Sequence, residues 1–341
     1  MGQQHDRLPE ERELKGNLGE FAPGASSTFH YSALPSHLQK DYVKIRKAMI
    51  VGEDSVNVNV VMGIEGCMSL VQKVLCDNPQ IFWIGNQFTM TSYRKEMKIG
   101  FRKNRFYKDK EKIKQALTNN AEEIYEKHVK GLHDACDIET AVHDVLVAKV
   151  VYDGTDKDSS HSLVGPLLSK KGVCEGISKA AAFLLNSYGV EAAVVTGKIK
   201  EDGEAHAWNV VLLGRQWYNT DVTFDLGNYM GGPLRSYLNM NDAMTSRTHE
   251  QESKGRCTSL NQNPYVKEGT YYKKADEAVR YIQRQGVDSS TRQLTYNIYV
   301  EEDGAEKIIM DAVCKRFATT KLKVSWQGKS GRHRITVMRG P

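Results

Sequence analysis

Apolar positions along this chain change their period several times, and each change marks an element. From Leu38 to Met49, the residues Leu38, Tyr42, Ile45 and Met49 fall at helical spacing. Val56-Asn57-Val58-Asn59-Val60 alternates in the manner of a half-buried strand. Met68 to Cys76 returns to a helical pattern and stops before Pro79. Ile81 to Trp83 and Gln87 to Phe101 read as strands of an antiparallel sheet. Two long helices follow, Lys110 to about Leu132 and about Glu139 to Val151. The second carries Val142, Val145, Leu146 and Val150 on one stripe. A loop from Tyr152 to Lys171 leads into a helix that opens at Cys174, with Ile177, Ala181, Leu184, Leu185 and Tyr188 at helical spacing and Gly189 as its C-cap. Three strands come next: Glu191 to Ile199, Ala207 to Leu213, and Gln216 to Phe224.

The flanks read differently. Residues 1–28 are polar, with Pro9, Pro23 and a Gly-Ala-Ser-Ser run, and predict a mobile lead-in. Gly231 to Glu268 shows little periodicity. The tail (Gln293–Val300, Ala305–Phe317, Leu322–Trp326, His333–Met338) has a β-α-β-β pattern, its helix carrying an apolar stripe of Ile308, Ile309, Ala312, Val313 and Phe317. The expected organisation is α+β. It comprises an N-terminal region at 29–110, a central core at 111–268 and a C-terminal accessory domain at 285–341.

Composition narrows the class. At 341 residues the chain suggests two or three structural units. No apolar run approaches the roughly 20 residues that cross a bilayer, so no membrane partner is expected. The opening Met1-Gly2-Gln3-Gln4-His5-Asp6 has no apolar leader segment. Six scattered cysteines (Cys67, Cys76, Cys136, Cys174, Cys257, Cys314) fall in no disulfide pattern. They fit a reducing compartment, hence a cytoplasmic expectation, in which a free thiol can serve as nucleophile.

The net charge of +5 is unevenly placed. From Arg94 to Lys114 ten Lys or Arg stand against Glu96, Asp109 and Glu111, giving +7 in one segment. Tyr93, Phe101, Phe106 and Tyr107 interleave with it. A site for an acidic macromolecule is one reading. A solvated Lys/Arg face on a strand leading into a charged helix is the plainer one.

Three words carry the chemistry: Gly172-Val173-Cys174-Glu175-Gly176, then Glu204-Ala205-His206-Ala207-Trp208-Asn209, then Asn219-Thr220-Asp221-Val222-Thr223-Phe224-Asp225. A thiol at a helix N-terminus sits at the positive end of the dipole beside unpaired N–H groups. Both effects favour the thiolate, and the Cys174 N–H is a natural oxyanion donor. Gly172 and Gly176 would let chain and substrate approach closely. If Gly214-Arg215 forms a two-residue hairpin turn, Leu213 pairs with Gln216 and Trp208 with Asp221. Asp221 is then the diagonal neighbour of His206 on one face, close enough to orient its ring. Trp208 and Trp217 could wall an acceptor channel or belong to the core. His133, Cys136 and His143 lack the spacing of a zinc site, so no metal or other cofactor is expected.

These words resemble those of the transglutaminase-like, papain-related cysteine protease superfamily, particularly its bacterial and kyphoscoliosis-peptidase-like branches. The family pattern Gly-x-Cys-x-Gly, His-Ala-Trp-Asn and Asp-Val-Thr-Trp-Asp is matched at Cys174, His206 and Asp221, with Phe224 in place of Trp and Ile177 where Tyr is usual. The run from His161 to Leu168 resembles the loop before the nucleophile. The resemblance covers 139–226 strongly and 35–110 weakly. It implies a papain-like core, with the cysteine helix packed on an antiparallel sheet that bears His and Asp. It implies catalytic Cys174, His206 and Asp221, with Trp208, Trp217, Gly176 and His161 toward substrate. The implied activity is acyl transfer through a thioester on glutamine or peptide amides, with an amine or water as acceptor. The contrasting expectation is a catalytically silent binding module that keeps the fold.

Overall fold

The computed structural model describes residues 26–59, 63–94, 96–227, 233–251, 255–284, 293–317 and 322–339. Most of the expected lead-in lies outside them. Ser26–Thr28 are described and are tied down: Ser27 N–H donates to Asp77 O, and the Thr28 hydroxyl to Glu191. The chain divides into two compact units, Met1–Thr258 and Ser259–Pro341.

The first unit begins with α1 (Phe29–Ala33), α2 (Ser36–Val51), β1 (Ser55–Asn59), α3 (Gly63–Asp77), β2 (Ile84–Tyr93) and β3 (Glu96–Lys103). The three strands form an antiparallel sheet in the order β1-β3-β2. Alternation on β3 buries Met97, Ile99 and Phe101 while Lys98 and Arg102 face out. Ile81–Trp83, expected as a strand, is a buried turn, with Ile81 N–H bonded to Asn78 O. An apolar run of three has too little length to tell the two apart.

Next come α4 (Lys110–Ile124), which continues into a π-helical turn at Tyr125–Val129, and α5 (Ala135–Lys149). Asp134 caps α5 by accepting from the Cys136 and Asp137 amides. The predicted loop after it contains β4 (Val151–Tyr152), α6 (Lys157–Ser160), a π turn at Gly165–Ser169 and β5 (Lys171–Gly172), with β4 and β5 paired in parallel. Then follow α7 (Cys174–Ser187), β6 (Ala192–Ile199), β7 (Ala205–Leu213), β8 (Gln216–Thr220), α8 (Asp242–Thr245) and β9 (His249–Gln251). Strands β6–β9 make an antiparallel sheet in the order β8-β7-β6-β9.

One hydrophobic core runs from Tyr42 and Ile45 through Leu70, Ile99, Leu117, Val142 and Ile177 to Val211 and Val222. The region 29–110 therefore shares its core with the central region. Ala207 and Val211 face that core, whereas Trp208 and Val210 join Phe29, Ala193, Val195 and Cys257 in a second cluster. Ile177 is fully buried in the main core, so it makes no pocket contact of the kind a Tyr there would make.

The second unit holds α9 (Pro264–Lys267), β10 (Tyr271–Tyr272), α10 (Ala275–Arg284), β11 (Gln293–Val300), α11 (Ala305–Phe317), β12 (Leu322–Lys329) and β13 (Arg332–Arg339). Its sheet order is β10-β11-β13-β12, and its own core joins Ala278, Ile282, Ile298, Ile309, Val313 and Ile335. It starts before the expected boundary at 285 because α10 supplies part of that core. The buried stripe of α11 is Ala305, Ile309 and Val313; Ile308 is exposed, and the Phe317 side chain lies outside the described residues.

Candidate active site

Cys174 is the first residue of α7, after an extended Val173. The first turn is fastened to β7: Ser178 Oγ lies 2.7 Å from Cys174 O and 3.0 Å from Ala207 O, and Asn209 Nδ2 donates to Ser178 O at 2.9 Å. Cys67, Cys76, Cys136 and Cys257 are buried, Cys174 is partly accessible and Cys314 is exposed. Burial pushes the Cys76 thiol up to about 12 and raises those of Cys67 and Cys257.

The hairpin adopts the expected register. Leu213 pairs with Gln216 and Asn209 with Thr220, around a turn in which Gly214 has a φ of 61°. Asp221 follows directly, and its Oδ2 lies 2.8 Å from His206 Nε2. With Nε2 committed to Asp221, Nδ1 is the ring nitrogen left for the Cys174 thiol, whose sulfur is near enough to favour the charged ring. Burial opposes charge on His206, but the Asp221 carboxylate and the Cys174 sulfur prevail and push it up to about 10. Burial alone would raise Asp221; His206 and His249 outweigh it and hold the carboxyl well below the usual range. The arrangement favours an imidazolium at His206 held by the Asp221 carboxylate, the partner a cysteine nucleophile needs.

Two neighbours escaped the sequence reading. His249 Nε2 lies 3.0 Å from the same Asp221 Oδ2, and His249 Nδ1 lies 2.7 Å from Thr248 Oγ1. It sits on a three-residue strand in the stretch that shows little periodicity, and its burial there becomes visible only in the folded chain. Tyr152 is largely exposed, yet its hydroxyl is covered enough that burial raises its pKa, and the charge of Cys174 adds to the rise. His206, Asp221 and His249 are also the one group, among the described residues, with donor atoms close enough (within 4.8 Å) to hold a metal ion. Their 2.8 and 3.0 Å contacts are hydrogen-bond lengths, and a metal would have to displace both protons. His133, Cys136 and His143 are not gathered in this way: His143 pairs with Asp144 and Asp225.

The residues expected toward substrate divide. Trp208 is 1% exposed and donates its indole N–H to Asn219 Oδ1 at 3.0 Å, so it is a buried wall behind His206 and leaves no face for a channel. Trp217 is partly buried against Phe29, ring centroids 4.8 Å apart. At Gly176 an added Cβ would lie 2.1 Å from Ser160 O, so the tight approach is made by the protein's own loop. His161 Nδ1 lies 2.8 Å from Glu175 Oε2, and Lys179 Nζ lies 2.6 Å from Glu175 Oε1. Burial opposes ionisation of Glu175, but Lys179 and His161 bring it down to about 2.

His161 and Lys179 also line a cleft of about 490 Å³ together with Arg102, Lys103, Arg105 and Lys157. Part of the basic segment thus reaches this cleft. Lys103 pairs with Asp54, Arg105 with Asp156, and Lys114 lies over the Trp83 ring. Phe101 and Phe106 are buried, so these aromatics are core and offer no stacking surface for bases.

Residues 122–222 match the sequence model of the transglutaminase-like superfamily. This stretch belongs to that superfamily. No curated protein matches the chain. Among solved structures the chain is similar to a protein provisionally named a cysteine protease, from Cytophaga hutchinsonii (14% identity over 40% of this chain and 61% of that one, TM-score 0.28). It is also similar to a protein named a TGase (17% identity, 58% and 61% covered, TM-score 0.30). A third, provisionally named a protease, comes from Parabacteroides distasonis (8% identity, 76% and 62% covered, TM-score 0.26). The chain spans about three-fifths of the length of each. The transglutaminase-like stretch runs from the end of α4 to the residue after Asp221, so it contains Cys174, His206 and Asp221 and ends before His249.

Proposed function

We propose that the transglutaminase-like core carries out cysteine-dependent acyl transfer on glutamine or peptide amides. The observation that carries this reading is the commitment of His206 Nε2 to Asp221 beside the Cys174 sulfur, which leaves the other ring nitrogen for the thiol. In the reaction the Cys174 thiolate attacks the carboxamide carbon, and His206 gives its proton to the departing ammonia or amine. The Cys174 N–H, at the start of α7, is the donor we assign to the oxyanion. A thioester remains, and His206, now neutral, takes a proton from the water or amine that resolves it. Water makes the enzyme a peptidase or deamidase; a lysine amine makes it a transglutaminase. We assign protein or peptide substrates, acidic near the scissile amide, because Arg102 and Lys157 in the cleft beside His161 have no carboxylate partner among the described residues. A reducing compartment, the cytoplasm, suits an enzyme whose six cysteines are all free.

Intact-mass analysis with a glutamine-peptide library and a primary amine present is the test. Gain of the amine's mass less ammonia reports transfer, a rise of one mass unit deamidation, and chain fragments hydrolysis. With limiting iodoacetamide, Cys174 should label ahead of Cys314, its one exposed competitor. No product together with slow Cys174 labelling would favour the silent binding module.

A further inference from the structure

Asp221 serves two histidines, and only one of them has a ring nitrogen to spare for the thiol. We propose that His249 is a positioning residue that acts through Asp221 to hold His206 in register with Cys174. The inference rests on the cysteine-nucleophile reading above. Asp221 is fully buried, so its lone pairs must be filled by the protein. Oδ2 accepts from His206 Nε2 at 2.8 Å and from His249 Nε2 at 3.0 Å, and Oδ1 accepts from the Phe224 amide at 3.2 Å. An ionised carboxylate can only accept, so His249 carries its proton on Nε2. In the neutral ring Nδ1 then accepts the Thr248 hydroxyl proton across 2.7 Å. Both nitrogens are thus occupied, which bars His249 from acting as base and leaves it to fix Asp221.

The surroundings are built for that task. The His249 ring lies 4.8 Å from the Trp208 ring and 4.9 Å from that of Phe224, with Tyr237 at 6.3 Å, centroid to centroid. Its strand is admitted to the sheet edge by Gly197. A Cβ there would stand 2.1 Å from Glu250 O and 2.8 Å from Trp208 Cη2. A side chain at 197 would push away the strand that delivers His249 and the indole that backs it. Freed of its second donor, the Asp221 carboxylate would swing and the His206 ring with it.

The experiment measures alkylation of Cys174 by iodoacetamide in the full chain, with Cys314 as internal reference, in wild type, His249→Leu, His249→Gln and Thr248→Val. His249→Leu should slow Cys174 about tenfold while Cys314 is unchanged, and His249→Gln, which offers an amide N–H to Asp221, should recover most of the rate. In an Asp221→Asn background His249→Leu should add nothing, because its route is already cut. Equal losses in both backgrounds, or a wild-type rate in His249→Leu, would overturn the inference. Should His249→Leu fail to fold, Thr248→Val decides: slowing of roughly twofold to fivefold supports the inference, and a wild-type rate sinks it. Wild-type Cys174 reacting no faster than Cys314 would instead bring down the nucleophile reading itself.

Discussion

Asp221 and Asp225 lie four residues apart on one turn, each buried and each bound to a buried histidine, yet the two pairs do different work. Asp221 holds His206 by Nε2 and leaves the other nitrogen to Cys174. Asp225 holds His143 Nε2 at 3.1 Å, while His143 Nδ1 lies 3.2 Å from Asp144. Asp225 also accepts the Ser236 and Tyr237 amides, and Asp144 is gripped by Arg235. The second cluster is closed on itself. The lesson is that a histidine–carboxylate pair becomes a candidate general base only where one ring nitrogen remains uncommitted and a nucleophile stands beside it. The closed pair still matters to the open one. By fixing Tyr237, whose carbonyl accepts the Asp221 N–H at 2.9 Å, it holds the backbone that carries Asp221.

Substitution at the two carboxylates breaks the comparison most sharply. Asp221→Asn should lower turnover by orders of magnitude, about 10⁴-fold by analogy with other oriented histidines. Cys174→Ala should abolish it. Asp225→Asn should leave Cys174 alkylation within about threefold of wild type while costing roughly 2–4 kcal/mol of stability, since it removes one of the two carboxylate charges that hold a buried histidine. Alkylation rates and urea melts on the same preparations check both halves. Equal kinetic losses at 221 and 225 would mean that the two pairs are one functional unit.

A pH series sharpens the contrast next. Burial disfavours a charged His143, but Asp144 and Asp225 outweigh it and push the ring up to about 9. A folded-state pKa above the unfolded value near 6.5 adds stability that is full below about 6.5 and fades as pH rises through about 9. The stability gap between wild type and His143→Gln should therefore be widest at pH 6 and should narrow by a few kcal/mol toward pH 10. Denaturant titrations at four pH values measure it, and a gap independent of pH would show that His143 is neutral.

The smallest effect is expected from the second unit. A chain ending at Thr258 removes a core that shares no residue with the first. Cys174 alkylation and small-peptide turnover should stay within about twofold of the full chain. A folded truncated protein that has lost both would show that residues beyond 258 complete the site.

Local sequence settled much of this protein by itself. Helical spacing from Leu38 to Met49 and from Ile177 to Tyr188, and alternation on the strands after Glu191, follow from which positions must leave water. A two-residue turn at Gly214-Arg215 fixed the pairing of β7 with β8, and with it the placing of Asp221 diagonal to His206, because strand register leaves no other freedom. Other features depended on contacts that no local pattern encodes. The burial of Ile81–Trp83 as a turn, and of α10 by three small or apolar residues in a polar stretch, required their packing partners. Trp208 became a wall because Asn219 and His249 close over it. His249 reaches Asp221 across 28 residues of chain and His143 reaches Asp225 across 82. Periodicity reports which face of an element is dry; only the folded chain decides which buried donor meets which buried carboxylate, since that choice is made by long-range packing and by the need to satisfy each buried charge.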